Sequence, residues 1–419
     1  WTRRAREEST LRESTHERAK ELVWRAIGGA MTASQLYLGD RLGLYAALRD
    51  LGSSSSASTE EEASSSSSSS TTYLHENREK RGVTAVALAS HTRLDRRWLR
   101  EWLAQQAACG ILELLPGDGD ADEDLHYVLP RAHADVLATP ESEHYDIALL
   151  QMVPALVNRA RTTLPECFRT GRGITYDDAD VAEAIDRAHQ RHLERVVLPK
   201  VLPATDLVHP LLSLRGARCA DLGCGGGNFL IALAREYPHA SFVGYDISDP
   251  ALSLCERRLA EAHCASNPDE DDSTTTSKNL LTNACVRDAR LQPLGAAVAE
   301  YDVVVTFDVV HDATRPRDLV RQVRRALKPG GAWLLGDIAG LATTRLNVTH
   351  NPRAATALAI STCLCLACAV SEPDGAGLGQ LGFTVPVAMA MLTAEGFSKV
   401  RVVLEEDNTR WFEAIVPQD

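Results

Sequence analysis

The segment Asp221-Leu222-Gly223-Cys224-Gly225-Gly226-Gly227 sets a carboxylate against a cluster of glycines, between a predicted strand and a predicted helix. Gly223, Gly225 and Gly227 permit a tight turn and let a ligand approach the backbone, and the helix start offers unpaired N–H groups. About twenty residues on, Asp246 ends the next predicted strand, where a carboxylate can accept both hydroxyls of a ribose. Two features separate the ligands that share a ribose. A dinucleotide turn wants a glycine three places after Gly225, but Asn228 stands there, although Gly226 and Gly227 blur the register. Asp221 is also a poor neighbour for a pyrophosphate and a good one for a cation. Opposite charges about 4 Å apart attract by roughly 4 kcal/mol at an intermediate dielectric, before desolvation. The pattern therefore favours a ribose-bearing cation, with a dinucleotide as the competitor.

A second group of reactive side chains lies in Phe307-Asp308-Val309-Val310-His311-Asp312, where a β-branched predicted strand ends. An imidazole, with an unperturbed pKa near 6.5, suits proton abstraction close to neutrality. The alternative for His311 is a hydrogen bond across the loop that shapes the ligand pocket. Asp312 either orients that imidazole or caps the helix expected near Pro316, and the cap is the expectation. His192 is expected to be structural. The histidines are scattered and no carboxylate cluster has ligand spacing, so no metal site is expected. Ten cysteines at irregular spacing, three of them (Cys363, Cys365, Cys368) in one apolar stretch, read as reduced packing residues.

The elements that must position these groups form two patterns. From Arg218 onward, strands and helices alternate, which implies a parallel sheet. RCADLGC, SFVGYDIS, ACVRDA, YDVVVTFDVV and AWLLGDI are the strands, with a turn at Pro329-Gly330-Gly331 before the last. SKVRVVLEED and RWFEAIVP follow so closely that they need a hairpin and an antiparallel edge. Upstream, residues 32–51 have helical spacing and carry Tyr37 and Tyr45, and a Ser-rich loop follows over 53–72. Residues 83–114 read as two helices and a strand which, with the acidic turn 116–124 and the strand HYVLP, resemble a helix-turn-helix with a wing. Residues 148–208 are expected to be helical. The chain thus divides into a helical N-terminal domain (1–145), a helical linker (146–210) and an α/β domain (211–419). An acceptor pocket is expected above the strand ends, walled by a single buried helix over 354–370 and by the early helix with Tyr37 and Tyr45.

Composition narrows the partners. A formal charge of −13 over 419 residues argues against nucleic acid, which is held largely by clustered Lys and Arg. The longest apolar stretch, Ala354–Val370, falls short of a comfortable bilayer span, so no membrane partner is expected. The thiols point to the cytoplasm. Because the chain begins at Trp1, an upstream targeting segment stays open.

From Arg218 to Ile338, and through the closing hairpin, the sequence resembles the class I S-adenosylmethionine-dependent methyltransferases. LYLGDRLGLYAAL, RWLREWLAQQAACGILEL and FDVVHDATRP are similar to bacterial members with an N-terminal winged helix, related distantly to small-molecule O-methyltransferases of plants. The resemblance implies a Rossmann-like, seven-stranded mixed sheet whose last strand is antiparallel. It implies that Asp221, Gly223, Gly225 and Gly227 face the methionine portion of S-adenosylmethionine, Asp246 and Ile247 its ribose, and Asp288 and Ala289 its adenine. Phe307 and Asp308 would line the donor pocket. His311 would occupy the place of a catalytic histidine, although Ala313-Thr314-Arg315-Pro316 departs from the plant motif. The expected protein is a homodimer whose winged helix dimerises and closes the substrate site, methylating a small-molecule acceptor at oxygen. The competing readings are a winged-helix, ligand-sensing transcription regulator and a nicotinamide-dependent oxidoreductase.

Overall fold

The computed structural model describes residues 2–54, 82–116, 125–175, 177–264 and 281–418. The insertion at 267–277, and all but the first residues of the Ser-rich loop and the acidic turn, lie outside the described residues. The chain divides into two units, 1–153 and 154–419.

In the first unit, helix α1 (Thr2–Arg41) and helix α2 (Leu44–Ser54) replace the one early helix expected. Gly43 breaks them apart at φ +66°, a conformation that favours glycine. Tyr37 and Tyr45 therefore lie on different helices. Tyr45 is a core residue whose hydroxyl donates to Gln106 Oε1 at 2.6 Å. Helices α3 (Ala85–Thr92) and α4 (Arg96–Ala108) follow, capped by Thr84 and Asp95. Strands β1 (Glu113–Leu114) and β2 (Tyr127–Val128) pair antiparallel, and α5 (Arg131–Leu137) comes next.

The second unit begins within α6 (Val153–Thr162) and continues through α7 (Leu164–Thr170), α8 (Ala179–His192) and a π-helical turn at Leu193–Val201. Most of the stretch 146–210 thus belongs with the sheet, because Leu193, Val196, Val197 and Val201 are buried in its core. After α9 (Val208–Leu212) the strands and helices alternate: β3 (Arg218–Leu222), α10 (Asn228–Glu236), β4 (Ser241–Asp246), α11 (Asp249–Cys264), β5 (Ala284–Asp288), β6 (Tyr301–Phe307), α12 (Pro316–Ala326) and β7 (Leu327–Ile338). Three short helices, α13 (Thr344–His350), α14 (Ala354–Cys363) and α15 (Cys365–Ala369), precede α16 (Val385–Ala394) and the hairpin of β8 (Lys399–Glu406) and β9 (Thr409–Ile415).

The sheet order is β5-β4-β3-β6-β7-β9-β8, parallel throughout except for β9, which runs antiparallel to both neighbours. A central strand as apolar as β6 is stable only when both faces are covered. One face packs against the π-helical turn, α9 and α10, and the other against α12 and α16. The Pro329-Gly330-Gly331 turn is absorbed into β7 as a bulge: Tyr301 pairs with Leu327, and pairing resumes at Val303 with Ala332. The single helix expected over 354–370 is divided at Leu364. One turn before the break, the Ser361 hydroxyl accepts the Gln380 N–H at 3.0 Å.

Glu413, in the middle of β9, is wholly buried. Its carboxylate accepts the N–H groups of Asp206, Leu207 and Val208 at 2.8–3.1 Å and pairs with Arg401, tying α9 to the hairpin. Glu413→Ala should therefore cost about 3–5 kcal/mol, since it leaves three N–H groups without their acceptor and removes one of the two carboxylates that pair with Arg401. Chemical denaturation checks this, and a loss below about 1 kcal/mol would contradict it.

Candidate active site

The parallel strands deliver the chemistry-bearing residues to their carboxyl ends. β3 ends at Leu222 and enters the glycine turn, while β4 ends at Asp246, β5 at Asp288 and β6 at Phe307. Strand order reverses between β4 and β6 on the two sides of β3, and the crevice beside such a reversal is where open α/β sheets bind ligands. Gly225 has φ +54° and open space where a Cβ would stand, so its backbone is free for a ligand to approach. Gly223 and Gly227 instead answer protein neighbours. A Cβ at Gly223 would strike Val309, and one at Gly227 would stand 2.5 Å from Cys255 Sγ.

Asp221 is 2% exposed, and its Oδ2 has no hydrogen-bond partner. Burial, reinforced by the nearby Asp246 carboxylate, pushes its pKa up to about 8. Asp246 is engaged differently. Its Oδ2 accepts the Gly225 N–H at 2.9 Å, and its Oδ1 accepts those of Ile247 and Ser248 at 2.8 and 2.9 Å. This carboxylate thus laces the glycine turn to the end of β4, leaving part of its acceptor capacity for a ligand. Ile247 is 57% exposed beside it, an apolar surface in the open.

The structure pairs Asp288 with Asp246 in the β4–β5 register, but its carboxylate is held by Arg290, at 2.9 Å to Nε and 2.7 Å to Nη2. That hydrogen bond keeps the Asp288 carboxyl below its ordinary range. The Ala289 N–H donates to the Asp246 carbonyl at 2.8 Å. Of the two positions expected at an adenine, one is neutralised by an arginine and the other has its N–H in use.

Phe307 and Asp308 stand on the other side of β3. Phe307 stacks on His189 of α8 with centroids 4.1 Å apart and packs against Trp411 at 5.0 Å. Trp411 Nε1 donates to His192 Nε2 at 3.1 Å, which requires that nitrogen to be unprotonated. Burial, followed by repulsion from His189, lowers the His192 pKa to about 4. Asp308 has a left-handed backbone, φ +62°, and lies between two imidazoles. His189 Nε2 is 3.4 Å from its Oδ2, and His311 Nδ1 is 3.6 Å from its Oδ1.

His311 itself is fully buried. Its Nδ1 donates to Asp337 Oδ1 at 2.7 Å, and its Nε2 lies 3.0 Å from Asp312 Oδ1. Burial opposes charge on this ring, but Asp312, Asp337 and Asp308 outweigh it and raise the His311 pKa well above the ordinary value. The ring, for which the sequence left open a base or a pocket-shaping hydrogen bond, is thus buried among carboxylates, and its Nε2 makes no hydrogen bond. Asp312 is not a helix cap: α12 starts after Arg315 with no side-chain cap, and the Asp312 carboxylate turns toward His311.

Two overlapping groups, Asp308-His311-Asp337 and His311-Asp312-Cys365, have ligand atoms within 4.8 Å of one another. Chain spacing hid this cluster, because Asp337 and Cys365 arrive from β7 and α15. The sequence offered two unused signals: His189 and His192 share one helix face, three residues apart, and Asp337 is an acid inside the apolar run AWLLGDI.

Residues 220–333 match the family model described as Methyltransferase domain. The sheet is the Rossmann-like fold of the class I methyltransferases, and this stretch of the chain is similar to a methyltransferase domain. Over 119 residues it is 30% identical to the ubiquinone biosynthesis O-methyltransferase of Methylococcus capsulatus, covering 28% of this chain and 42% of that protein. The chain spans less than half the length of the curated relatives it matches. Among solved structures, human N-acetylserotonin methyltransferase in complex with SAM aligns with a TM-score of 0.60 and 15% identity, covering 95% of this chain and 98% of that one. An O-methyltransferase family protein from Burkholderia thailandensis aligns with a TM-score of 0.58 and 15% identity, covering 92% and 95%.

Since His311 is the counter-ion of buried Asp337 and of the partly exposed Asp308 and Asp312, His311→Gln should cost about 3–5 kcal/mol, as removal of one partner from a buried ion pair does. In the wild type the contribution is complete below the unfolded pKa of about 6.5 and fades as pH rises through the higher folded value. Denaturation at pH 6 and pH 9 measures both effects. A variant as stable as wild type at pH 6 would contradict the assignment.

Proposed function

We propose that this protein transfers the methyl group of S-adenosylmethionine to an oxygen of a small-molecule acceptor. The reading is carried by the unpartnered Asp221 Oδ2, a buried carboxylate beside a glycine turn that a cationic ligand group would satisfy. When bound, S-adenosylmethionine supplies an electrophilic methyl on a positively charged sulfur. Gly225, with Gly223 and Gly227 shaping the turn, gives backbone access. Asp221 supplies the negative charge on the methionine side. Asp246 accepts from the ribose with its remaining lone pairs while it holds the turn, and Ile247 covers the nucleoside. At the adenine, Asp288 and Ala289 act as the β5 wall, since their polar groups are engaged by Arg290 and Asp246. Phe307 and Asp308 border the donor, and His311 fixes Asp308 from below.

A homodimer is part of the proposal. Trp24, Ile27 and Met31 follow helical spacing along α1 and are 68%, 46% and 58% exposed. We assign the first unit to dimerisation through a winged-helix-like module, not to DNA reading, because Arg97 of α4 is paired with Glu101 and the chain is acidic overall. Nine of the ten cysteines are free thiols, which suits a reducing cytoplasm. No helix among the described residues is long and apolar enough to cross a membrane.

Donor binding should depend on pH with a fixed sign. The Asp221 pKa of about 8 makes the free site neutral at physiological pH, and a cation favours the ionised carboxylate. Binding should therefore release a proton below pH 8, and affinity should rise with pH up to that value. Calorimetry in buffers of different ionisation enthalpy reads the proton directly, and Asp221→Asn should abolish it while weakening affinity. Asp246→Ala should weaken donor affinity about ten- to a hundredfold. Preferential binding of NAD would overturn the reading in favour of an oxidoreductase. For assembly, sedimentation should show a dimer that becomes monomeric in a Trp24→Glu, Ile27→Glu double variant, and a wild-type monomer would reject it.

A further inference from the structure

We propose that Asp186 of α8, acting through Arg258 of α11 and Asn228 at the start of α10, positions the glycine turn for the methyl donor. This rests on the methyltransferase reading above and adds to it residues from outside the turn. Gly225, Gly226 and Gly227 are consecutive, and the conformational freedom that lets a ligand approach must be removed before the turn can hold one. Gly227, at φ +83°, has no side chain to cap the helix it opens. The restraint has to come from other elements.

The Asp186 carboxylate is 6% exposed and lies directly against the turn. A Cβ at Gly226 would stand 2.8 Å from Asp186 Cγ and 2.7 Å from Arg258 Nη1, so only a glycine admits this approach. Asp186 Oδ2 pairs with Arg258 Nη1 and accepts Asn228 Nδ2 at 2.7 Å, and the Asp186 carbonyl accepts the same amide nitrogen at 3.2 Å. Arg258 Nη1 in turn donates to the Gly226 carbonyl at 3.0 Å. The N–H of that same peptide unit, on Gly227, donates to the Cys224 carbonyl at 2.9 Å. A peptide between two glycines rotates at little steric cost; with both ends held, this one does not.

The clamp also accounts for Asn228, which stands where a dinucleotide turn would have a glycine. A glycine there would have no amide to give Asp186. Helix α8 is a firm anchor, because one turn further on His189 stacks against Phe307 at the end of β6, with centroids 4.1 Å apart. Asp186 and Arg258 compensate each other's charge, so the clamp sets the shape of the turn and leaves the attraction for a cation to Asp221. A turn ordered in advance spares a ligand the entropy of ordering it, and this appears as affinity.

Calorimetry of the full chain with S-adenosylmethionine and with S-adenosylhomocysteine tests the clamp. The double variant Asp186→Ala, Arg258→Ala removes both charges together and leaves no unpaired ion, so it folds even where a single variant does not. It should raise Kd about tenfold or more for both ligands, and by a similar factor for each because the net charge is unchanged. Its Kd should be no higher than that of the weaker-binding single variant, since the two residues act as one unit. Arg258→Lys keeps a cationic donor and should bind more tightly than Arg258→Ala, and Asn228→Ala should raise Kd about three- to tenfold. Amide exchange over residues 222–232 should quicken in the double variant while exchange in β6 and β7 stays as in wild type. Residues that only stabilised the fold would lower the denaturation midpoint and leave the Kd of the folded protein unchanged. A folded double variant that binds both ligands within twofold of wild type would therefore overturn the clamp and leave the methyltransferase reading intact, as would losses that multiply across the two single variants. Failure of the wild type to bind either ligand would overturn that reading and the clamp with it.

Discussion

Burying negative charge at the carboxyl ends of parallel strands is the constraint on which this structure depends. Asp221, Asp246, Asp308 and Asp337 sit at or just beyond the ends of β3, β4, β6 and β7, and Asp221 and Asp337 are at most 2% exposed. A carboxylate taken out of water must be hydrogen-bonded, paired or protonated. All three solutions occur within one site. Asp246 takes three backbone N–H groups, and Asp308, Asp312 and Asp337 share the His311 cation. Asp221 retains an oxygen with no partner and is held neutral by burial near pH 7. Asp308, Asp312 and Asp337 also keep a carboxylate oxygen without a hydrogen bond, but they lie beside His311, whereas Asp221 lies beside the glycine turn.

The sheet topology makes this crowding possible. Successive parallel strands end on one side, so residues far apart in the chain meet there, and the reversal of order around β3 opens a crevice between the β3 and β6 loops. The antiparallel hairpin of β8 and β9 completes the sheet on the far edge. It also presents Trp411 to the aromatic cluster and Glu413 to the N–H groups that precede α9. A single carboxylate in β9 thus braces the segment leading into β3, the strand that carries the glycine turn.

Much of the α/β unit was legible because its signals are local. The β-branched run of β6, the glycine turn after β3 and the short hairpin loop each identify their element within a few residues. The His311 cage was not legible. Asp337 and Cys365 reach it from β7 and α15, and no spacing rule places them near residue 311. The same reason left the imidazole open between a base and a pocket-shaping hydrogen bond: nothing in FDVVHDATRP shows that the ring turns inward. His189 was missed although it shares a helix face with His192, because only the fold brings Phe307 and Asp308 against it. The early helix and the apolar stretch at 354–370 were each expected as one piece because hydrophobic periodicity continues across Gly43 and Leu364, where the backbone breaks.

The contrast between Asp221 and His311 suggests how binding and release are balanced. His311 is a resident counter-ion, so the carboxylates around it stay paired whether or not a ligand is present, and the site remains assembled. Asp221 has only the counter-ion that a ligand brings. If that ligand is a sulfonium, transfer of its methyl group leaves a neutral thioether, and one of the charges that favoured the ionised carboxylate disappears. The desolvation of Asp221 then pulls its pKa back toward about 8, and its attraction for the product weakens. A carboxylate less deeply buried would hold donor and product more nearly alike, because water would screen the difference between them. Burial of Asp221 without a resident partner is therefore what allows one aspartate to favour the charged ligand over the spent one.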